Sequence, residues 1–187
     1  SGEILYEGGL LPGHTVWTNK YQKVVVNSNI EVPADGSLVV GPGTVVEIDN
    51  WEWDYQNHGV NVEVYGRIAL LGERGTSAWV DENDDIMMES EDGMVQFKAI
   101  DFQWGSLIVS SQSPAGNVDI YNQRYHGGNI FYRTKIMENY KMNLRSDFAI
   151  LRAVFVDNWD GSGGYYGALS FSDGRFFVNN SHFDRTN

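Results

Sequence analysis

The stretch that decides the fold reads Ile30-Glu-Val-Pro-Ala-Asp-Gly-Ser-Leu-Val-Val-Gly-Pro-Gly-Thr-Val-Val-Glu-Ile48. Three short runs rich in valine, leucine and isoleucine are separated by two turn signals, Pro33-Ala-Asp-Gly36 and Pro42-Gly-Thr44. Short β-branched runs punctuated by proline and glycine are typical of strands joined by tight turns. The stretch therefore predicts consecutive β-strands.

The same pattern extends along the whole chain. Apolar runs such as Val24–Val26, Val62–Tyr65, Leu107–Val109 and Val154–Val156 are bounded by Gly, Asn, Asp and Ser. With 21 glycines and only 4 prolines, the turns are many and mostly glycine-based. No stretch carries the apolar stripe of an amphipathic helix, so we expect an all-β protein.

A weak internal repeat is present in the second half. Tyr132-Arg-Thr-Lys-Ile-Met-Glu-Asn139 aligns with Leu151-Arg-Ala-Val-Phe-Val-Asp-Asn158, and both end in an acidic residue followed by Asn. Val178-Asn-Asn-Ser-His-Phe-Asp184 fits the same frame, and Phe97-Lys-Ala-Ile-Asp-Phe102 fits more loosely. The uneven spacing favours stacked coils with connections of variable length over a strict solenoid.

Stacked coils explain these features physically. One coil cannot bury its inward side chains alone, whereas coils about 4.8 Å apart pair every strand and build a continuous apolar column. Asn after a strand can adopt left-handed backbone angles at a corner, and its amide can bond to the same corner of the next coil. An antiparallel sandwich or jelly roll would also give short strands with turn signals, so these folds remain alternatives.

Three segments together resemble a known family. Residues 30–48 resemble the opening coils of the right-handed parallel β-helix, or pectate-lyase-like, superfamily of bacterial surface and secreted proteins. Val62-Glu-Val-Tyr-Gly-Arg-Ile-Ala-Leu-Leu-Gly-Glu-Arg-Gly-Thr76 resembles the next coil, and Trp104-Gly-Ser-Leu-Ile-Val-Ser110 a later one. The resemblance implies one solenoid domain over 1–187, with a cap at 3–20 and loop insertions at 50–60 and 80–93.

Charge and cysteine content narrow the function classes. The chain has 25 acidic and 13 basic residues, a formal net charge of -12. Nucleic acids and anionic membranes need a basic footprint, so neither is an expected partner. No apolar run approaches the ~20 residues needed to cross a bilayer. Cysteine is absent, which excludes disulfides and thiol chemistry and fits a bacterial extracellular or cell-surface protein.

Aromatic residues supply the leading candidate binding site. Trp51, Asp54 and Tyr55 lie with Trp53 in a polar, Asn-rich interruption of the strand pattern. A second group, Trp159, Tyr165 and Tyr166, flanks a glycine-rich loop. Rigid aromatic rings accept the apolar face of a pyranose, while nearby carboxylates and amides bond its hydroxyls. The alternative is that these rings cover apolar surface where the loops fold back.

An acidic segment is a candidate cation site. Asp81, Asn83 and Asp85 match the first three ligand positions of an EF-hand loop. Ile86 stands where that loop needs glycine and Asp92 where it needs glutamate, so an EF-hand is rejected. An irregular Ca²⁺ site and a solvated acidic loop remain as alternatives, and no other cofactor is expected.

Catalysis is the second function considered. The family resemblance implies that a lyase would need a Lys or Arg base with Ca²⁺-binding carboxylates, and a hydrolase paired Asp residues near His and Lys. The candidates are Asp101, Asp157, Asp160, Asp184, His126, His182, Arg152 and Arg185. Asp157 and Asp184 occupy matching repeat positions, so a stack of carboxylates could raise a pKa and create an acid. No hydrolase signature motif is present, and no catalytic residue is assigned.

The sequence therefore predicts a non-catalytic extracellular module that binds polysaccharide or another glycan, as part of a larger surface or secreted protein. A fragment of a polysaccharide lyase or glycoside hydrolase is the alternative, and a structural spacer or adhesin is a third. Fold alone does not decide among them, because the superfamily contains all three.

Overall fold

The computed structural model describes residues 2–49, 60–73, 78–80, 86–89, 92–99, 106–111, 117–120, 123–126, 128–139, 141–158 and 169–186. These residues form strands and turns and contain no helix, which confirms the all-β prediction. In chain order the strands are β1 (Ile4–Leu10), β2 (His14–Trp17), β3 (Lys23–Val32), β4 (Ser37–Val40), β5 (Val45–Ile48), β6 (Asn61–Val64), β7 (Arg67–Leu71), β8 (Ala78–Val80), β9 (Ile86–Glu89), β10 (Val95–Ala99), β11 (Ser106–Val109), β12 (Asn117–Ile120), β13 (Gln123–His126), β14 (Asn129–Tyr132), β15 (Thr134–Met137), β16 (Lys141–Arg145), β17 (Phe148–Leu151), β18 (Val154–Val156), β19 (Leu169–Ser172), β20 (Phe176–Asn179) and β21 (His182–Asp184).

Two large sheets are built from parallel pairs. Sheet A has 11 strands and sheet B has six, in the order β2-β4-β7-β14-β17-β20. The antiparallel pairs among the described residues are two short hairpins, β8 with β9 and β12 with β13. The parallel pairing differs from that of an antiparallel sandwich or jelly roll, which removes those alternatives.

Sheet A consists of two arms that meet in the long strand β3. In arm 1, Val24–Val26 of β3 pairs with β5, which is followed by β10, β15, β18 and β21. In arm 2, Ile30–Val32 of β3 pairs with β6, which is followed by β11, β16 and β19. The chain visits arm 1, arm 2 and sheet B in turn, and we call each such pass a layer.

Successive layers repeat the same order. Strands β5, β6 and β7 form one layer, and β15, β16 and β17 form another. Each pass thus adds one strand to arm 1, one to arm 2 and one to sheet B. The strands are parallel and lie in curled sheets, an arrangement compatible with a parallel β-solenoid.

The core is a set of register columns between the sheets. Val24, Val46, Phe97, Ile136 and Phe155 are register partners in successive arm 1 strands, and all are fully buried. Their strand neighbours alternate outward, as in β5, where Val45 is half-buried and Val46 is buried. The apolar runs also place Val45, Ile48, Val62, Val64, Ile68, Leu107 and Val109 in the inner column; all of these are buried except Val45, which alternation turns outward. Phe183, expected there too, is 41% exposed in the last arm 1 strand.

Sheet B is covered on both faces in its middle strands. Phe148 and Ile150 of β17 join the main core, while Ala149 and Leu151 belong to a second apolar cluster on the other face. Strand β13 contacts β17. A strand buried on both faces shows no alternation of polar and apolar residues, as the sequence of β17, Phe-Ala-Ile-Leu, illustrates.

Two positions within residues 30–48 require glycine for steric reasons. A Cβ on Gly36 would lie 2.2 Å from the carbonyl oxygen of Gly13, which accepts the Ser37 N–H at 2.7 Å. Gly43, in the Pro-Gly-Thr turn, has φ +71°, a left-handed conformation that L side chains rarely adopt. Close stacking and a left-handed turn therefore explain both turn signals.

The observed register corrects the repeat alignment. Tyr132 pairs with Leu151 as aligned, but Leu151 pairs with Asn179, one residue beyond the expected Val178. Asp184 consequently lies opposite Val156 instead of matching Asp157. The looser match of 97–102 is also displaced, because the register partner of Phe97 is Ile136.

The predicted cap and insertions fall on different kinds of structure. Residues 3–20 contain β1 and β2, which pair in parallel with β3 and β4 and form the first layer. Of the predicted insertions, 50–59, 81–85 and 90–91 lie outside the described residues, while β8 and β9 form an antiparallel hairpin around 81–85. The hairpin of β12 and β13 was not predicted.

Candidate functional site

Most of the tryptophans lie in chain segments that connect strands at one corner of the stack. Here each arm 1 strand ends and the following arm 2 strand begins. The strand ends are stacked: Ile48 is the register partner of both Val26 and Ala99, and Met137 is the partner of Val156. The chain therefore leaves arm 1 at equivalent points in successive layers.

The arm 2 strands begin at equivalent points as well. Asn61 pairs with Ser106, and Ser106 pairs with Lys141. In the next layer, Leu169 is the partner of Met142. The segments that join the two arms are 27–29, 49–60, 100–105, 138–140 and 157–168. We call them the corner connectors.

The residue directly after each of the strands β15, β18 and β21 has a left-handed backbone conformation. Glu138 has φ 58°, Asp157 has φ 55° and Arg185 has φ 43°. They stack one layer apart, because the Glu138 N–H donates to Val156 O (3.2 Å) and the Asp157 N–H donates to Asp184 O (3.0 Å). The sequence predicted that Asn after a strand can adopt the left-handed position. Asn180 does so after β20, with φ 47°, whereas at this corner Asn139 and Asn158 are the residues that follow the left-handed position.

Buried amides hold these layers together. The Asn158 side-chain oxygen accepts the Asn139 backbone N–H at 3.0 Å, and Asn158 Nδ2 donates to Ile136 O at 3.1 Å. Thr186 continues the series, since its hydroxyl oxygen accepts from Asn158 Nδ2 at 3.2 Å. Both Asn side chains are fully buried. The predicted amide bonding between equivalent corners is confirmed.

Arg185 forms ion pairs with two carboxylates at this corner, those of Asp157 and Asp184. Arg185 Nε donates to Asp157 Oδ1, and Arg185 Nη1 lies 3.0 Å from Asp184 Oδ2. The hydrogen bond from Arg185 lowers the pKa of Asp157 below its ordinary value, and the same contact raises the pKa of Arg185. The expectation that stacked carboxylates raise a pKa here was wrong, because a cation lies between the two acids. Asp157 is therefore a poor candidate for a general acid.

Elsewhere on sheet A, the outer face carries its own polar pairs. Lys23 Nζ lies 2.8 Å from Glu47 Oε2, and this hydrogen bond raises the pKa of Lys23. In arm 2, the Tyr65 hydroxyl donates to Glu63 at 3.2 Å, and the contact raises the pKa of Tyr65. These groups satisfy one another on the outer surface of the strands.

The residues predicted as sites lie outside the described part of the chain. This holds for the aromatic group Trp51, Trp53, Asp54 and Tyr55 and for the group Trp159, Tyr165 and Tyr166. It also holds for the acidic residues Asp81, Asn83 and Asp85. The described strands nevertheless bracket them: both aromatic groups belong to corner connectors, while the acidic residues lie between β8 and β9.

Sequence reasoning named Asp157 and Arg185 as candidates but missed Glu138 as a member of this corner. Glu138, Asp157 and Arg185 line it in consecutive layers, and the repeated acidic-Asn dipeptide was the available signal. Within the described ranges, no group of three or more His, Asp or Glu side chains could hold a metal ion, and no helix is long and apolar enough to span a bilayer.

Comparisons with known proteins add no assignment. No protein-family model matches the chain, and no curated protein or solved structure is significantly similar to it.

Proposed function

We propose that the chain is a right-handed parallel β-helix of the pectate-lyase-like type and acts as a non-catalytic, extracellular glycan-binding module. The repeated order of arm 1, arm 2 and sheet B supports the coil geometry. The right hand follows from the strong preference of parallel crossover connections for that hand.

One observation carries the functional proposal: connectors rich in aromatic residues begin and end at stacked strand ends. Four of the six tryptophans lie in connectors of this single corner, namely Trp51, Trp53, Trp104 and Trp159. The same connectors contain Tyr55, Tyr140, Tyr165 and Tyr166. Aromatic groups in successive layers suit a ligand that is itself a repeating chain, such as a polysaccharide.

The polar groups at the corner suit the same ligand. Sugar hydroxyls need hydrogen-bond acceptors and donors beside the ring platform, and Glu138, Asp157 and Arg185 provide both types. The net charge of -12 opposes binding of polyanionic glycans, so a neutral or basic polysaccharide is the expected class. Extracellular location in a larger bacterial surface or secreted protein belongs to the same proposal.

The ion pair at Asp157 supports a binding role over an enzymatic one. A hydrolase acid needs a raised pKa, whereas the pKa of Asp157 is lowered by Arg185. The lyase or hydrolase alternative would therefore need groups other than this carboxylate.

A retention experiment tests the proposal. The wild-type chain is run on affinity gels that contain neutral, basic or acidic polysaccharides, and each bound polysaccharide is analysed for cleavage products. Trp51→Ala and Trp159→Ala should reduce retention. Tyr6→Ala removes an aromatic side chain that is 62% exposed on β1, outside the corner connectors, and should not. Cleavage products would support the enzyme alternative, and no retention on any polysaccharide would support a spacer.

A further inference from the structure

One connection between sheet B and arm 1 is far longer than its equivalents. Where a sheet B strand is followed by an arm 1 strand, the connection is 41–44 after β4, Arg133 after β14, 152–153 after β17 and 180–181 after β20. Between β7 and β10 the connection is 72–94, and it contains the hairpin of β8 and β9. The strands on either side of it nevertheless belong to the same parallel ladder as the others.

A single residue of the next layer spans the same gap as this long connection. Leu71, at the end of β7, is the register partner of Tyr132, and Val95, at the start of β10, is the register partner of Thr134. In the next layer Arg133 alone joins Tyr132 to Thr134. The register therefore identifies the extra residues as an insertion at a corner that needs only one residue.

Both sides of the insertion lie against that one residue. The Gly72 N–H donates to Tyr132 O at 2.7 Å, and a Cβ on Gly72 would clash with the carbonyl oxygen of Arg133. On the other side, the Val95 N–H donates to the same Arg133 oxygen at 3.1 Å. Gly72 thus stacks directly on Arg133 because it has no side chain. We call residues 73–94 the inserted segment.

The base of the inserted segment is closed by its own backbone. The Glu73 N–H donates to Gly93 O at 2.8 Å, and Gly93 has a left-handed backbone with φ +75°. A Cβ on Gly93 would lie 2.7 Å from the Cβ of Glu73, so the two ends of the segment approach each other closely. Gly93 O also accepts the Gly43 N–H at 3.2 Å, which ties this base to the corner of the preceding layer.

A buried guanidinium from the next layer bonds both ends of the same base. Arg133 is fully buried, and it donates from Nε to Glu73 O and from Nη2 to Asp92 O, both at 2.9 Å. Burying a cation is costly unless its donors are paired, so these two carbonyls help to explain an arginine at this depth. One layer further the connection is 152–153, and Arg152 at the equivalent corner is only half-buried.

We propose that the inserted segment is a removable appendage of the ladder and that Arg133 is the clasp that holds it in place. Among the described strands, β8 and β9 pair only with each other, so the hairpin opens as one unit when the clasp is lost, while β7 and β10 keep their parallel partners. The appendage leaves the ladder where the arm 1 strands begin, whereas the corner connectors follow the ends of those strands. The inference is therefore independent of glycan binding.

Hydrogen exchange followed by mass spectrometry tests the clasp on the full chain. Arg133→Gln should speed exchange of the β8 and β9 amides by about tenfold or more, because two charge-assisted hydrogen bonds at the base are lost. The amides of β7 and β10 should stay protected. Arg152→Gln is the matched control and should leave exchange in the hairpin unchanged. Unchanged hairpin exchange in Arg133→Gln would overturn the proposal, as would an equal loss of protection in β7 and β10.

A deletion variant tests whether the inserted segment is removable. Joining Gly72 directly to Val95 gives a one-residue corner, and the variant should keep a β-type circular dichroism spectrum and unfold cooperatively in urea. Arg133→Gln should lower the urea midpoint of the full chain. In the deletion variant the same substitution should have less than about half that effect, because the two carbonyls that Arg133 bonds are gone. A deletion variant that does not fold contradicts the proposal, and so does an equal effect of Arg133→Gln in both backgrounds.

Discussion

The side chain of Asn158 accepts a hydrogen bond from the backbone N–H of Asn139, which lies one layer away at the same corner. The amide of Asn158 also donates to Ile136 O and to the Thr186 hydroxyl. One fully buried side chain thus joins three successive layers. This relationship makes the corner a stability determinant as well as a point of departure for the connectors.

Removing that amide should destabilise the fold. Asn158→Ala leaves the Asn139 N–H buried without its acceptor, and an unsatisfied buried polar group costs about 1–3 kcal/mol. Urea denaturation followed by circular dichroism measures the free energy of unfolding. Asn143→Ala is the matched control, because the Asn143 side chain bonds the Ser170 hydroxyl at an exposed position. An equal loss in both variants would contradict the importance assigned to the buried amide.

The ion pair at the same corner predicts a pH dependence. Arg185 holds the pKa of Asp157 low in the folded chain. The pair therefore stabilises the fold fully above the ordinary carboxyl pKa, and this contribution is lost as the pH falls through the lowered folded value. Arg185→Gln should move the pKa of Asp157 up towards its ordinary value and remove this dependence.

NMR titration of the Asp157 side-chain carbon measures this shift directly. Arg175→Gln serves as the control, because Arg175 pairs with Asp147 on another connection and should not affect Asp157. If the pKa of Asp157 stays low in the Arg185→Gln variant, the cause assigned to it is incorrect.

A buried arginine should matter more than its neighbour in the next layer. Arg133 is fully buried and donates from Nε to Glu73 O and from Nη2 to Asp92 O, both at 2.9 Å. A hydrogen bond from a charged group contributes about 1.5–3 kcal/mol, so Arg133→Gln should lower the free energy of unfolding by at least one such amount.

Arg152→Gln is the comparison, measured by the same denaturation. Arg152 follows Leu151, the register partner of Tyr132, and has nearly the same left-handed backbone, φ 51° against 49° for Arg133. Its side chain is only half-buried, so the loss should be smaller. Equal losses would mean that the corner backbone, not the buried guanidinium, sets the cost.

Two stacked phenylalanines should differ in their contribution to stability. Phe155 is fully buried, so Phe155→Ala should cost roughly 3–5 kcal/mol, whereas Phe183 is 41% exposed and Phe183→Ala should cost less than about 2 kcal/mol. Thermal and urea unfolding of the two variants measure these losses. Comparable losses would show that Phe183 is a core residue despite its position in the last layer.

The aromatic connector should separate binding from stability. Trp51→Ala and Trp53→Ala should each reduce polysaccharide affinity by about 1–3 kcal/mol, by analogy with rings that stack on nucleobases. Surface substitutions usually change stability by only about 0.5 kcal/mol, so melting should be nearly unaffected. Paired measurements of melting and gel retention decide the matter. Core-like losses of stability in both variants would show that these rings are packing residues.

Strand identity could be predicted from the sequence because the apolar alternation of runs such as Val45–Ile48 is local. The turns could be predicted as well, since Gly36 and Gly43 stand where stacking and a left-handed turn require them. The parallel pairing followed from the repeat, and the described strands confirm it. The β-helix itself and its glycan ligand stay proposals.

The register between neighbouring strands could not be predicted from the sequence repeat. An acidic residue fits both the last strand position and the corner that follows, so Asp184 was aligned with Asp157 when its partner is Val156. Arg133, Arg152 and Arg185 also occupy left-handed positions. These corners were hard to recognise from the sequence, because Asn and Asp are the residues usually expected there. The hairpin of β12 and β13 was missed because it interrupts the layer order with a purely local pairing.

The corner connectors differ greatly in length, from 138–140 to 157–168, yet each returns the chain to the next stacked strand. The ladder is insensitive to this difference, because the cost of closing a loop rises only slowly with its length. The strands thus determine the rigid stack, while the connectors between them determine the surface chemistry at the corner. Since neighbouring layers are about 4.8 Å apart, successive connectors leave the corner at a regular spacing along the stack. Under the proposed glycan-binding role, exchanging one connector would change the recognition group at one layer without repacking the core.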